Sequence, residues 1–160
     1  PGTKGLEHRL GGLEKEDITG NVSYDPENHE KMCKIRSEKI NRLSNIIPEQ
    51  KIYGNESGNL LVIGWGGTFG SLYSAVDTLL KDENSVGLCH FNYINPLPRN
   101  TKEILSKFNR IVVCELNAGQ FANYLRMNFQ GFVFEQYNKL QGFPFTSIEL
   151  ESHFKLLLSK

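Results

Sequence analysis

A glycine-rich turn between Gly64 and Gly70 is the stretch that could bind a phosphate. Free N–H groups at a helix start can bind an anion, and glycines let the backbone approach it. The dinucleotide fingerprint G-x-G-x-x-G matches at Gly64 and Gly66 but has Phe69 at its last position. No lysine follows Gly70, as a phosphate loop would require. We therefore interpret the stretch as a tight turn packed under a sheet, with an anion site as the alternative.

Glu115 is the carboxylate best placed for chemistry, because it directly follows the apolar run from Arg110 to Cys114. A carboxylate at this position can act as a general base or bind a ligand hydroxyl. It can also accept hydrogen bonds from N–H groups of the loop that follows. The second role is favoured, since no His, Lys or second carboxylate is a local partner for acid–base catalysis. We assign no catalytic, cofactor-binding or metal-binding residue.

The histidines and cysteines show no pattern of a metal site or an activated nucleophile. We interpret His29 as a surface residue and His90, inside an apolar run, as a core residue. Cys33, Cys89 and Cys114 are far apart, and no C-x-x-C pair offers a redox or metal site. We expect reduced thiols and a cytoplasmic protein.

The secondary-structure elements that hold these residues are strands alternating with helices. This alternation predicts a largely parallel sheet covered on both faces. The predicted strands are Lys51 to Tyr53 at an edge, Leu60 to Ile63, Val86 to Tyr93, Arg110 to Cys114 and Phe132 to Phe134. The predicted helices run from Asp25-Pro26 to Pro48, from Leu72 to Leu80, from Thr101 (the cap) to Phe108, through Tyr124 and Leu125, and from Ser147 to Leu158.

The carboxyl ends of parallel strands form the edge where ligands and partners bind in such sheets. We expect an interface or an ordered loop cluster there. The candidate residues are Gly66, Gly67, Asn95, Glu115, Asn117, Gly119 and Gln120.

The composition suits one globular domain of 160 residues, with 39% apolar and 22% charged residues. Lys plus Arg count 18 and Asp plus Glu count 18, which argues against a nucleic-acid or anionic-membrane surface. No apolar run reaches the ~18 residues of a membrane span. The first 24 residues, Pro1 to Tyr24, show no sustained period and are predicted to be a loop.

Six stretches, taken together, resemble the C-terminal part of the α subunit of 2-oxoacid:ferredoxin oxidoreductases. They are PGT with GLEHRLGGLEKED (Pro1 to Asp17), GNVSYDPENHEKM (Gly20 to Met32), LLVIGWGGTFG (Leu60 to Gly70), NYINPLP (Asn92 to Pro98), CELNAGQFANYLR (Cys114 to Arg126) and NKLQGFPF (Asn138 to Phe145). The resemblance spans essentially the whole chain. GLEHR and YDPENHEKM look most like the 2-oxoglutarate branch.

This resemblance implies a fold, an activity and a set of cofactors. The fold is three-layer α/β/α, a mixed, mostly parallel five-stranded sheet similar to the transketolase C-terminal domain. The family converts a 2-oxoacid, coenzyme A and oxidised ferredoxin to acyl-CoA, CO2 and reduced ferredoxin. The intact enzyme would use thiamine diphosphate, magnesium and iron–sulfur clusters. No G-D-G motif and no cluster-binding cysteine set occurs here, so we expect this chain to hold no cofactor and to be inactive alone.

The resemblance also divides the chain. Residues 1–24 would be the loop or tail of a preceding domain, residues 25–50 a linker helix, and residues 51–160 the transketolase C-terminal-like domain. The chain would be a C-terminal piece that serves assembly. Its partners would be the β subunit and the rest of the α subunit, with ferredoxin and coenzyme A through the complex. A second copy, forming a homodimer, is a further candidate partner. Two alternatives stay open: a stand-alone small-molecule or nucleotide-binding module that uses Gly64 to Gly70, and a bare oligomerisation domain.

Overall fold

A computed structural model describes residues 2–7 and 11–159 of the chain. The chain divides into two compact units, Pro1–Ile46 and Ile47–Lys160. The motif residues His8, Arg9 and Leu10 lie outside the described residues.

Among its described residues, the first unit has one α-helix, α1 (Pro26–Arg42). It begins where the sequence predicts, because the Asp25 side chain accepts from the Glu27 N–H at 3.0 Å and proline occupies the first turn. The prediction that Pro48 stops the helix is wrong. The helix ends at Arg42, where Ser44 Oγ donates to the Asn41 carbonyl and a 3-10 turn follows.

The described residues before α1 form turns and one isolated antiparallel bridge, between Lys15 and Val22. Outside this bridge they form no strand or helix, as the sequence predicts for a stretch without a hydrophobic period. None of the residues of α1 is buried. The first unit is therefore held by polar contacts on its surface more than by an apolar core.

The second unit is built on a five-stranded sheet with the strand order β1-β3-β2-β4-β5. The strands are β1 (Tyr53–Gly54), β2 (Gly58–Trp65), β3 (Val86–Phe91), β4 (Phe108–Glu115) and β5 (Phe134–Asn138). Strand β1 pairs antiparallel with β3, and the other pairs are parallel. This confirms the predicted mixed, mostly parallel sheet with one antiparallel edge strand.

Four helices cover the sheet on both faces. They are α2 (Phe69–Lys81), α3 (Thr101–Leu105), α4 (Gln120–Asn128) and α5 (Ser147–Leu158). One core cluster joins Leu60 and Val62 of β2 to α2 and α5. The other joins Leu61 and Ile63 of β2 to α3 and α4. The alternation of side chains along β2 therefore fills both layers.

Helix α3 is shorter than predicted, and Thr101 is not its cap. Asn100 precedes the helix, and the Thr101 hydroxyl donates to the Pro98 carbonyl at 2.6 Å. The helix ends at Leu105 because Phe108 already belongs to β4, which extends the predicted strand at both ends.

Strand β5 runs from Phe134 to Asn138 rather than from Phe132 to Phe134, so its predicted bounds are wrong. Val133 is 80% exposed and lies before the strand. Edge strands bury only part of their surface, so polar residues are tolerated within them. Here the Glu135 side chain pairs with Arg110 of β4, with Nη2 and Oε1 2.7 Å apart.

The glycine at position 64 allows α2 to pack closely on the sheet. A Cβ atom there would lie 2.2 Å from Leu72 Cδ1 and 2.8 Å from Thr68 Oγ1. Both neighbours are buried, and Leu72 belongs to the core. Gly64 therefore serves helix–sheet packing, as the first interpretation of the glycine-rich turn predicts.

We expect Gly64→Ala to lower the free energy of unfolding by about 1–3 kcal/mol, because the added methyl overpacks the core. Gly67→Ala is the matched control, since a Cβ at Gly67 meets nothing within 4 Å. Urea unfolding followed by tryptophan fluorescence measures both. Equal unfolding free energies for the two variants would contradict the packing role of Gly64.

Candidate functional site

A crevice opens between β2 and β4 at the carboxyl edge of the sheet. The connection after β2 leads to β3 on one side, and the connection after β4 leads to β5 on the other. Such a reversal of strand order is where open α/β sheets bind ligands. The pairing of the two strands ends at Ile63 and Val113, two residues before each strand ends. A cavity of about 170 Å³ results, lined by Trp65, Gly66, Gly67, Thr68, Leu116 and Asn117.

Glu115, the last residue of β4, acts as a hydrogen-bond acceptor at this edge, and its side chain is fully buried. Its Oε2 accepts from the Phe121 N–H at 2.8 Å and from Trp65 Nε1 at 3.1 Å. Its Oε1 accepts from the Ala122 N–H at 2.9 Å. Because Glu115 belongs to β4 and its donors come from β2 and from the first turn of α4, the carboxylate joins three elements. Its position at the start of α4 also complements the helix dipole. This geometry supports a loop-ordering role for Glu115. Because the side chain is fully buried, the carboxylate is not open to a substrate.

Asn117 and Gly119 shape the turn between Glu115 and α4. Asn117 Oδ1 accepts from the Gly119 N–H at 2.7 Å and from the Gln120 N–H at 3.1 Å. Gly119 has φ +93°, which favours glycine, and a Cβ there would lie 2.3 Å from Gln136 Oε1. The turn therefore has one backbone geometry, fixed by the side chains around it.

The remaining predicted residues occupy two places along the same edge. Gly66 and Gly67 are exposed and face the crevice together with Asn117. Asn95 lies beyond β3, where its Oδ1 accepts from the Tyr124 hydroxyl at 3.3 Å. The structure thus brings Gly66, Gly67 and Asn117 together and places Asn95 against α4 instead.

His90 lies inside β3, as the sequence predicts, but it is only half-buried and does not belong to the core. Its Nε2 lies 3.4 Å from Thr68 Oγ1, and its ring meets the Phe69 ring edge-on with the centroids 5.2 Å apart. Burial lowers the pKa of His90, so the imidazole is neutral near pH 7. It packs the loop after β2 against β3.

A larger open cavity of about 530 Å³ lies along the β1–β3 edge. Ile52, Tyr53, Phe69, Leu88 and His90 are among its lining residues, which are mostly apolar. Sequence reasoning missed this cavity, because its walls come from segments about 40 residues apart in the chain.

Exposed apolar side chains accompany the loops after all four parallel strands, which sequence reasoning also missed. They are Phe69 after β2, Tyr93 after β3, Leu116 after β4, and Leu140 and Phe143 after β5, with exposures of 38% to 70%. Each lies close to Gly, Asn or Pro in the sequence, and only the sheet topology collects them at one edge. Apolar residues gathered on one surface mark an interaction site more often than scattered ones do.

Residues 2–7 and 11–159, the described part of the chain, contain neither a candidate metal site nor a candidate membrane-spanning helix. No three His, Cys, Asp or Glu side chains come together there in a way that could hold a metal ion. None of the helices in the same residues combines the length and apolarity that crossing a bilayer requires.

The chain is similar to α subunits of known oxidoreductases. It is 36% identical over 152 residues to the 2-oxoglutarate oxidoreductase subunit KorA of Mycobacterium tuberculosis, covering 94% of this chain. It is 30% identical over 131 residues to the α subunit of 2-oxoacid:ferredoxin oxidoreductase 1 of Aeropyrum pernix, covering 78% of this chain. No protein-family model matches it.

A solved structure shares the fold over nearly the whole chain. It is the 2-oxoglutarate:ferredoxin oxidoreductase of Magnetococcus marinus, solved with 2-oxoglutarate, coenzyme A and succinyl-CoA bound. The TM-score is 0.89 at 25% identity, covering 99% of this chain and 28% of that one. This chain spans 23% and 20% of the lengths of the two curated relatives above.

We expect Glu115→Ala to lower the free energy of unfolding by about 3 kcal/mol or more, because it leaves two buried backbone N–H donors and the partly buried Trp65 indole without their acceptor. Asn117→Ala, which removes a partly exposed cap, should cost about 1 kcal/mol. Chemical unfolding measures both, and Trp65 fluorescence reports the loss of the Glu115 contact. If Glu115→Ala unfolded at the wild-type denaturant concentration, the loop-ordering role would be wrong.

Proposed function

Because this chain belongs to the family of 2-oxoacid:ferredoxin oxidoreductase α subunits, we propose that it is the C-terminal, transketolase C-terminal-like domain of such a subunit. The observation that carries the proposal is the 36% identity to a 2-oxoglutarate oxidoreductase subunit over 94% of this chain. The proposed activity of the intact enzyme is conversion of a 2-oxoacid, coenzyme A and oxidised ferredoxin to acyl-CoA, CO2 and reduced ferredoxin.

The proposed 2-oxoacid is 2-oxoglutarate. Two observations support it: the name of the Mycobacterium tuberculosis relative, and the 2-oxoglutarate and succinyl-CoA bound in the Magnetococcus marinus enzyme. With 2-oxoglutarate as substrate, the acyl-CoA product would be succinyl-CoA. A purified intact enzyme tests this choice through the rates of ferredoxin reduction with 2-oxoglutarate and with pyruvate.

We place thiamine diphosphate, magnesium and the iron–sulfur clusters of the proposed enzyme outside this chain. Its described residues do not fit a metal or a cluster, because no suitable group of His, Cys, Asp or Glu side chains comes together in them. Cys89 and Cys114 are buried in the sheet, where they pack as apolar residues. No catalytic step is therefore assigned to a residue of this chain.

The proposed organisation is a loop or tail at 1–24, a linker helix within 25–50 and the transketolase C-terminal-like domain at 51–160. The division of the chain between Ile46 and Ile47 supports a boundary near the end of the linker. The sheet and its four helices all lie after that division, which supports an independent domain there.

The proposed role of the second unit is to present the carboxyl edge of its sheet as an interface. The partners are the rest of the α subunit and the β subunit. Three features support this: the exposed apolar residues on all four loops, the open crevice beside Gly66 and Gly67, and the ordered turn after Glu115. A surface whose loops are already ordered loses little conformational entropy when a partner binds.

The nucleotide-binding alternative has weaker support. Gly64, the first glycine of the partial fingerprint, lies inside β2 against Leu72 and does not face the crevice. The absence of a side chain at this position is explained by packing alone. Calorimetric titration of the chain with a nucleotide would show saturable binding if the alternative were correct.

We expect Leu116→Ser and Phe143→Ser to destabilise the intact enzyme, because buried apolar anchors typically contribute about 1–2 kcal/mol or more at an interface. The melting temperature of the intact enzyme and its rate of ferredoxin reduction should both fall. The unfolding free energy of this chain alone should change by less than about 0.5 kcal/mol, since both side chains are exposed in it.

Val133→Ser is the matched control, because Val133 is 80% exposed and lies at the opposite end of β5. It should leave the intact enzyme unchanged. The interface proposal would be rejected if Val133→Ser had the same effect as Leu116→Ser, or if neither edge variant affected the intact enzyme.

A further inference from the structure

A thiol, an imidazole and a carboxylate lie together in the first unit, apart from the site described above. His29, Cys33 and Arg36 occupy one face of α1, since they are four and three residues apart. Glu14 comes from the loop before the helix. The His29 Nδ1 to Glu14 Oε2 distance is 2.6 Å, and the His29 Nε2 to Cys33 Sγ distance is 3.7 Å.

The hydrogen bonds fix the direction in which a proton can move. An ionised carboxylate can only accept, so His29 Nδ1 must carry the hydrogen of the bond to Glu14. In the neutral imidazole, His29 Nε2 is then left to accept the proton of the Cys33 thiol. A nucleophile within reach of a base, with the base oriented by a third group, is the arrangement that activates thiols and hydroxyls in catalysis.

Arg36 supports the same arrangement from the other side. Its Nη1 donates to Glu14 Oε1 at 3.0 Å, and its Nη2 donates to Cys33 Sγ at 3.4 Å. The hydrogen bonds from Arg36 and then from His29 lower the pKa of Glu14 to about 2, so this carboxylate stays ionised at neutral pH.

Cys33 is the exposed cysteine of this chain, and the two others are buried. Burial raises the pKa of the Cys89 thiol to about 12 and raises that of Cys114 further. The chain thus contains one accessible thiol with a base and a cation beside it, and two thiols without either access or a favourable charge.

We propose that Cys33 is a reactive thiol that undergoes exchange with small-molecule disulfides, with His29 as its base and Glu14 and Arg36 as positioning residues. The Cys33 proton moves to His29 Nε2, and the thiolate attacks one sulfur of the disulfide. A mixed disulfide forms at Cys33, and the other sulfur leaves as a thiolate that takes up a proton. The Cys33 sulfur is oxidised and the leaving sulfur is reduced, so the small disulfide is the only oxidant required.

Sequence reasoning missed this cluster for a physical reason. His29, Cys33 and Arg36 are visible as helix neighbours, but Glu14 lies 15 residues before His29 and its position depends on the fold of the loop. Without Glu14 to orient the ring, a surface histidine near a cysteine carries no particular chemistry.

The test is the rate at which the intact protein that carries this chain reacts with glutathione disulfide at neutral pH. Acid-quenched time points and peptide mass spectrometry measure the mixed disulfide at each cysteine. We expect Cys33 to react before Cys89 and Cys114. His29→Gln should slow Cys33 roughly tenfold, within the ~30-fold that separates an ordinary thiol from a full thiolate at pH 7. Glu14→Gln should slow it in the same direction.

Glu30→Gln is the control on the same helix, because Glu30 pairs with Lys34 and not with the sulfur. It should leave the rate unchanged. The extent of reaction at Cys89 and Cys114 reports whether each variant is folded, since unfolding would expose both thiols. The proposal is overturned if Cys33 does not react in the intact protein, or if folded His29→Gln and Glu14→Gln variants both react at the wild-type rate.

Discussion

The second unit depends on the complete burial of the centre of β2. Leu60, Leu61, Val62 and Ile63 have no exposed surface, and they alternate between the two core layers. Full burial contributes about 1.5–3 kcal/mol for each large apolar side chain, so this strand is stable only with a neighbour on each edge and helices on each face. Strands β3 and β4 provide the edges, and two pairs of helices provide the faces. The reversal of strand order beside β2 then creates the crevice at its carboxyl end.

The crevice edge is ordered by one buried charge. The Glu115 carboxylate requires hydrogen-bond donors because it is excluded from water, and the N-terminus of α4 and the Trp65 indole supply them. The loops after β2 and β4 are thereby held in place while Leu116 beside Glu115 remains 38% exposed. A rigid loop cluster that carries exposed apolar residues suits the binding of a partner better than it suits acid–base chemistry. This is the physical basis for proposing an assembly role within the oxidoreductase.

Hydrophobic periodicity predicted the parts of the fold that are buried or strongly capped. Leu60 to Ile63 and the helix from Ser147 to Leu158 are confirmed, the latter with a capping box at Thr146. Periodicity predicted the wrong bounds for β5 and α3. Strand β5 is half-buried at the edge of the sheet, and α3 is short because β4 already begins at Phe108. For the site, the sequence predicted an interface at the carboxyl edge of the sheet, which stays a prediction, and it left two roles for Glu115. Neither the exposed apolar loops nor the Glu14 contact to His29 could be predicted, because both depend on residues that only the fold brings together.

Hydrogen exchange tests the central claim, that the carboxyl edge of this sheet is an interface within a 2-oxoacid:ferredoxin oxidoreductase. The backbone amides of residues 92–95, 116–118 and 139–143 would be compared between this chain alone and the intact enzyme. We expect these amides to exchange markedly more slowly in the intact enzyme, while the amides of the turns at 82–84 and 129–131, on the opposite edge, exchange at the same rate in both samples. Equal exchange of the carboxyl-edge loops in both samples would contradict that claim.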